Sequence, residues 1–426
     1  MLLMATAIML CVCDLGVKFD EKAAWKESPE EFIASYAVDG FVFASSKRDV
    51  INCLYHGGSS WHGMEAYESR IYYGDDGVER VEISLYNKGD DRSGVPMGED
   101  DLNAMLKAIA VKIDPDGNLG KPEHKKLKTG GYSYVRRWQN LEPSVELSWG
   151  LSGSGSKNRY VEYVRLVLSP KKSAKGNASS IKSSASADSR TKVKANVAKN
   201  PAGDVWIKDV PMVDQGKKGY CAVATAERIM RYYGIAVDEH ELAHMAKSSA
   251  DQGTSVSHMI ETVKIVGSKH RLGYSEIVKM SLTPDDMIKD VKAYNRAARA
   301  EKAPQIDIDD FISGRAIDSK GIREAMNPEI LRKMRIKDGR YRKFLSDVKA
   351  QIDKGVPVFW GVMLGWYQEP DIPQASGGHM RLIIGYNAER KEIIYTDSWG
   401  AGHELKRMPE DWAFSITRSA FYLKPL

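Results

Sequence analysis

Cysteine is scarce in this chain of 426 residues: four in all, at positions 11, 13, 53 and 221. Two of them fall within the first thirteen residues, so Cys53 and Cys221 each stand alone in their half and neither half holds an internal disulfide. Long apolar runs are missing as well. The one sustained stretch, MLLMATAIMLCVC at residues 1–13, is shorter than the roughly 20 residues a membrane-crossing helix needs, and no membrane span is expected. The nine histidines are scattered. A net charge of +5 is small and its excess is concentrated in one segment, which argues against a nucleic-acid partner. Apolar residues at 42% and charged residues at 28% are ordinary for a globular protein, and the length calls for two or three domains.

What is present divides the chain into four stretches. Residues 1–13, followed at once by Asp14, read as the core of a secretory signal with Cys11 and Cys13 at cleavage positions, although a basic leader is missing; export to a periplasmic, cell-surface or secreted location is the expectation. Leu10 makes Cys11 a poor lipidation site. Residues 25–170 mix strands and helices. Alternation at Ile71–Tyr73 and Val81–Leu85 around Gly74-Asp75-Asp76-Gly77 predicts a hairpin, and Leu102, Met105, Leu106, Ile109 and Ile113 form a helix stripe. Strands are expected at 132–135, 145–149 and 160–168, giving a small α+β antiparallel-sheet domain that serves as an accessory, binding or pro-domain. His56, Trp61 and His62 are read as part of a solvated Gly/Ser-rich loop. Residues 171–203 form a Ser/Ala/Lys-rich tether with too few apolar side chains for a core. Cleavage there would release the first half.

Residues 204–426 carry the chemistry. In VPMVDQGKKGYCAVATAERIMRYYG, residues 210–234, the apolar positions after Cys221 recur at helical spacing and Gly234 closes the run. Cys221 therefore starts a helix, where unpaired N–H groups and the positive end of the helix dipole favour thiolate over thiol. Gln215, six residues earlier, can aim its amide at a carbonyl oxygen that becomes negative under thiolate attack, with the Cys221 N–H as second donor. Downstream, Gly377-Gly378-His379 opens an apolar strand at 382–386. A second strand, 393–395, ends in Asp397-Ser398-Trp399-Gly400. Adjacent strands would set His379 beside Asp397.

These motifs resemble the oxyanion Gln, nucleophile, general base and Asn-Ser-Trp-Gly corner of papain-like cysteine peptidases. The branch they are most similar to is that of the bacterial bacteriocin-leader (double-glycine) peptidases, which also share the Val-Pro-Met-Val lead-in, Gly253-Thr254-Ser255 and Lys354-Gly355-Val356-Pro357-Val358. The resemblance spans about 205–426. It implies a helical lobe and an antiparallel-sheet lobe, with catalytic Cys221, His379, Asp397 and Gln215 supported by Trp399, Gly378 and Ser398. Asp397 stands where papain has Asn, and no aromatic follows Cys221. The transporter fused to bacteriocin-processing members is not expected here.

His240-Glu241-Leu242-Ala243-His244 spells a zinc-binding H-E-x-x-H, with Glu261 as a distant third ligand. Against it, Asp238 and Glu241 stand at capping-box spacing, which puts the motif in a first helical turn. Helices are expected near 285–300 and 342–354, and Gly365 to Pro370 as an aromatic cleft lining. His403 is read as surface. The expectation is an α+β, two-domain thiol peptidase acting on a peptide or protein substrate, with no cofactor and no metal, and with the first half in contact with the second. Acyl transfer of the transglutaminase type by the same residues is the alternative, and zinc peptidase chemistry at 240–244 a further one.

Overall fold

The computed structural model describes residues 13–91, 93, 95–115, 123–127, 131–153, 159–170, 193–216, 219–235, 237, 239–248, 254–280, 283–314 and 316–426. The expected signal up to residue 12, most of the tether, Asp238 and Gly253 lie outside the described residues.

The first half is an eight-stranded sheet built from β1 (Val42–Phe43), β2 (Val50–Cys53), β3 (Glu68–Gly74), β4 (Gly77–Asn87), β5 (Glu123–Lys126), β6 (Tyr132–Trp138), β7 (Ser144–Ser152) and β8 (Tyr160–Ser169), in the order β1-β2-β3-β4-β8-β7-β6-β5. The hairpin expected at 71–85 is β3 paired with β4. Strand alternation explains the two faces. Ile51, Ile71, Val81, Ile83, Leu147, Trp149 and Leu166 pack against Leu102, Leu106 and Ile109 of α1 (Glu99–Ile113). Trp61, expected in a solvated loop, is instead a strand residue in this core, 2% exposed, where its large apolar ring is taken out of water. The opposite face is polar and also buried: Asn52, Glu68, Arg70, Glu82, Ser84 and Ser148. Buried polar groups need partners, and two of these find them in the second half: Glu68 beside His240 and Arg70 beside Glu239.

That half has a helical layer, α2 (Cys221–Tyr232), α3 (Glu239–Met245) and α4 (Val256–Lys269), followed by β9 (Leu272–Lys279), α5 (Pro284–Ala300), α6 (Arg340–Ile352), β10 (Val358–Leu364), β11 (Gly377–Asn387), β12 (Glu392–Thr396) and β13 (Thr417–Pro425). Antiparallel pairing runs β12-β11-β10-β13-β9. Phe359 and Phe421, opposite each other on β10 and β13, stack at 4.6 Å, a pair worth roughly 0.5–1.5 kcal/mol beyond its buried area. A Cβ at Gly385 would lie 2.6 Å from the Val205 carbonyl, so only glycine lets strand 204–207 close on β11. The fold is α+β, with a sheet domain ahead of the peptidase-like part. Among the described residues, no helix is long and apolar enough to cross a membrane. Of the aromatics at 365–370, Trp366 is buried with Nε1 donating to the Arg323 carbonyl, and Tyr367 packs on Trp412.

Candidate active site

Helix α2 begins at Cys221, and Gly234 follows its end at φ +72, as the sequence pattern predicts. The first turn of α2 meets β11, where Thr225 Oγ1 donates to the Met380 carbonyl at 3.2 Å. This places the Cys221 thiol within Coulombic reach of His379, although the two lie 158 positions apart in sequence. The pairing of Leu382 with Thr396 carries Asp397 to the far side of the imidazole, and His379 Nε2 meets Asp397 Oδ1 at 2.5 Å. With Nε2 engaged there, Nδ1 is the nitrogen left for the thiol.

Charge decides how this trio is ionised. Burial by itself would push the Cys221 thiol up, but the neighbouring imidazolium outweighs it and the thiol is lowered. Burial would likewise lower His379, yet the Asp397 carboxylate and the Cys221 thiolate hold it up at about 9. Asp397, fully buried, is pulled down to about 2 by His379 and Arg381 despite its desolvation. The arrangement favours a thiolate–imidazolium pair over the neutral thiol and imidazole.

Gln215 is brought to the same place by the Asp397 corner. Its N–H donates to the Ser398 carbonyl at 2.8 Å, and the Ser398 hydroxyl donates to Gln215 Oε1 at 2.7 Å, which fixes the amide plane and assigns its oxygen to the serine. Ser398 also donates its N–H to Asp397 Oδ1 at 2.8 Å, so one residue orients two others. The Trp399 indole stacks on His379 at 4.2 Å with 10° between planes and shields the His–Asp bond from water. Gly378 is exposed just ahead of buried His379, with open space where a side chain would stand. All seven residues singled out in the sequence thus fall in one corner.

Four others were missed. Arg381, two residues beyond His379 on the same strand face and fully buried, sets Nε 2.7 Å from Asp397 Oδ2, and its Nη1 donates to both Glu369 oxygens at 2.9 Å. Tyr395 closes this chain through its hydroxyl on Glu369. A guanidinium inside an apolar strand was the available signal, since such a charge is buried only with partners. Arg228, two turns after Cys221, donates to the Asp397 carbonyl at 2.8 Å, to Thr396 Oγ1 at 2.6 Å and to the Pro211 carbonyl at 2.7 Å. The nucleophile helix is thereby tied to both loops. His403 is not a surface residue: it is half-buried against Trp399, and its carbonyl accepts from the Asp397 N–H at 2.9 Å.

The H-E-x-x-H residues do not converge on a metal position. His240 Nε2 faces Glu68 Oε1 at 3.3 Å, while His244 Nε2 pairs with Ser152 Oγ at 2.8 Å, each reaching a different strand of the first-half sheet. Among the described residues, the group spaced to hold an ion is Glu68, Glu239 and His240, without His244, and Glu261 is exposed on α4. The motif serves instead to bury α3 against the first half.

No curated protein matches the sequence. Among solved structures the chain is similar to the peptidase domain of Streptococcus ComA, a bifunctional ABC transporter of a quorum-sensing pathway (12% identity over 51% of this chain and 100% of that one, TM-score 0.26). It is also similar to xylellain, a cysteine protease from Xylella fastidiosa (15%, 55% and 89%, TM-score 0.28), and to a double-glycine motif protease from an AMS/PCAT transporter in complex with its leader peptide (11%, 51% and 93%, TM-score 0.25). Residues 207–419, half of the chain, match the profile of the Peptidase_C39 like family, and the chain belongs to that family of cysteine peptidases.

Proposed function

We propose that the protein hydrolyses peptide bonds through Cys221, His379, Asp397 and Gln215. The observation that carries this reading is the Cys221 thiol at a helix start against an imidazole whose far nitrogen is held by Asp397 at 2.5 Å. The Cys221 thiolate adds to the scissile carbonyl. The Gln215 amide and the Cys221 N–H receive the oxyanion, and His379 passes its proton to the departing amine. Water then enters through His379 acting as base and releases the acid from the thioester. Asp397 keeps the imidazole oriented and charged, and Trp399 keeps water off that bond. Gly378 leaves room for an extended backbone beside His379.

Export through the apolar segment ahead of Cys13 completes the reading, Cys13 itself being 3% exposed in the first-half core and paired with Ser59; recovery of the protein with Met1 intact in the cytoplasmic fraction of expressing cells would remove that part. The central test uses the full chain and its Cys221→Ala variant against a diverse peptide mixture, read by mass spectrometry, with a chelator in parallel. Cleavage that disappears in the variant and ignores the chelator supports the reading. Cleavage that survives the substitution sinks it, and products carrying an added amine in place of a new carboxylate would assign the site to acyl transfer.

A further inference from the structure

The segment that carries the Gln215 donor has little structure of its own: residues 211–215 belong to no helix or strand. Its position is set from outside. Arg228 and Ser398 hold it from the second half, and three groups of the first half hold it from the other side. Arg70, on β3 and 6% exposed, donates from Nη2 to the Asp214 carbonyl at 3.3 Å while Nη1 rests 2.8 Å from Glu239 Oε2. Leu54 closes on Gly216, where an added Cβ would stand 3.4 Å from the leucine Cβ and where φ is +64. Asn87 Oδ1 accepts from the Tyr220 hydroxyl at 3.0 Å, and Tyr220 is the residue immediately before Cys221. The neighbouring Gly89 lies so close to that hydroxyl that a Cβ there would overlap it. The Asp397 corner is touched as well, since the Ser46 N–H donates to Glu404 Oε1 at 2.7 Å.

Burying a guanidinium costs several kcal/mol unless it is paired. Arg70 is paired by Glu68 and Glu239, and its remaining reach is spent on a backbone carbonyl next to Gln215. We infer that the first-half sheet is a working part of the active site, with Arg70 and Asn87 as positioning residues that hold the oxyanion segment and the cap of the nucleophile helix. On this inference the first half is not a removable pro-region: its loss would leave the thiol in place and misplace the Gln215 donor. A displacement of about 1 Å at such a site costs on the order of a hundredfold in rate.

The inference rests on Cys221 being the nucleophile, and its test compares two reactions of that thiol in the full chain. With p-nitrophenyl acetate, the thiolate adds to the ester carbonyl; the oxyanion collapses, the ester C–O bond breaks, p-nitrophenolate leaves and a thioester remains. With iodoacetamide, the thiolate displaces iodide and no oxyanion forms. Cys221→Ala provides the background from the other cysteines, and if it leaves both reactions at the wild-type rate the nucleophile assignment fails rather than the inference. Tyr220→Phe removes a single oxygen from the Asn87 contact and should lower acylation about fivefold, and Arg70→Met about a hundredfold, with alkylation within about threefold in both. A ratio of acylation to alkylation that is unchanged in Tyr220→Phe overturns the inference, whatever Arg70→Met does.

Discussion

Two buried histidines of this protein have nearly the same neighbours and different fates. His379 lies against Asp397, which is held in turn by Arg381, itself paired with Glu369. His240 lies against Glu68 and Glu239, which are held by Arg70. Each is an imidazole set among carboxylates and a guanidinium. The difference is what stands around them. His379 has a thiol at a helix start, exposed Gly378 beside it and an amide donor fixed by Ser398, whereas His240 is sealed between α3 and the first-half sheet under the Tyr163 ring. Ionisable chemistry becomes a reactive site only with a nucleophile, a donor for the developing charge and a path for substrate.

Removing the thiol tests this comparison most severely. Cys221→Ala should lower peptide cleavage about 10⁵-fold or more, measured by mass spectrometry of products, and residual chelator-sensitive cleavage would transfer the chemistry to the His240 side. Arg381→Met breaks a fully buried ion pair, leaving Glu369 without its cation and Asp397 with His379 as its remaining ion-pair partner. Denaturant titration should show a loss of roughly 3–5 kcal/mol, and Arg381→Lys should restore part of it.

Asp397→Asn sharpens the pH side. The thiolate–imidazolium pair persists until His379 loses its proton at about 9, so activity should fall above that pH and, at the acid end, as the Cys221 thiolate is protonated. Removing the carboxylate that raises His379 should move the alkaline limb down by about one unit while cleavage drops about tenfold, since Asn still accepts from the ring. An alkaline limb that stays put would show that Asp397 does not set the charge of His379.

The same groups predict how stability follows pH. His379, raised in the folded state, contributes stability fully present below 6.5 and lost as pH rises through about 9. Asp397, depressed in the folded state, contributes stability present above 3.8 and lost as pH falls through about 2. Denaturant midpoints across pH should therefore fall toward both ends. The smallest effect is expected at His244: His244→Ala gives up the bond to Ser152 and about 1–3 kcal/mol of stability, with peptide cleavage within about twofold once folded. A loss of cleavage there comparable to Cys221→Ala would place catalytic chemistry in the H-E-x-x-H helix as well.

The sequence by itself determined the local parts. Helical spacing after Cys221, the Gly234 stop, the hairpin at 71–85 and the Gly-Gly-His and Asp-Ser-Trp-Gly motifs were all legible, because they depend on backbone preference and on periodicity within a few residues. Tertiary structure decided what those parts do together. H-E-x-x-H was equally legible as a motif, yet helix α3 turns its two histidines to different strands of another sheet, and spacing along one helix does not say what the helix packs against. Arg228, Arg381, Glu369 and Arg70 went unread for the same reason. Each acts on a residue tens to hundreds of positions away or on a neighbouring strand, and a buried charge is explained only by partners that the fold brings to it.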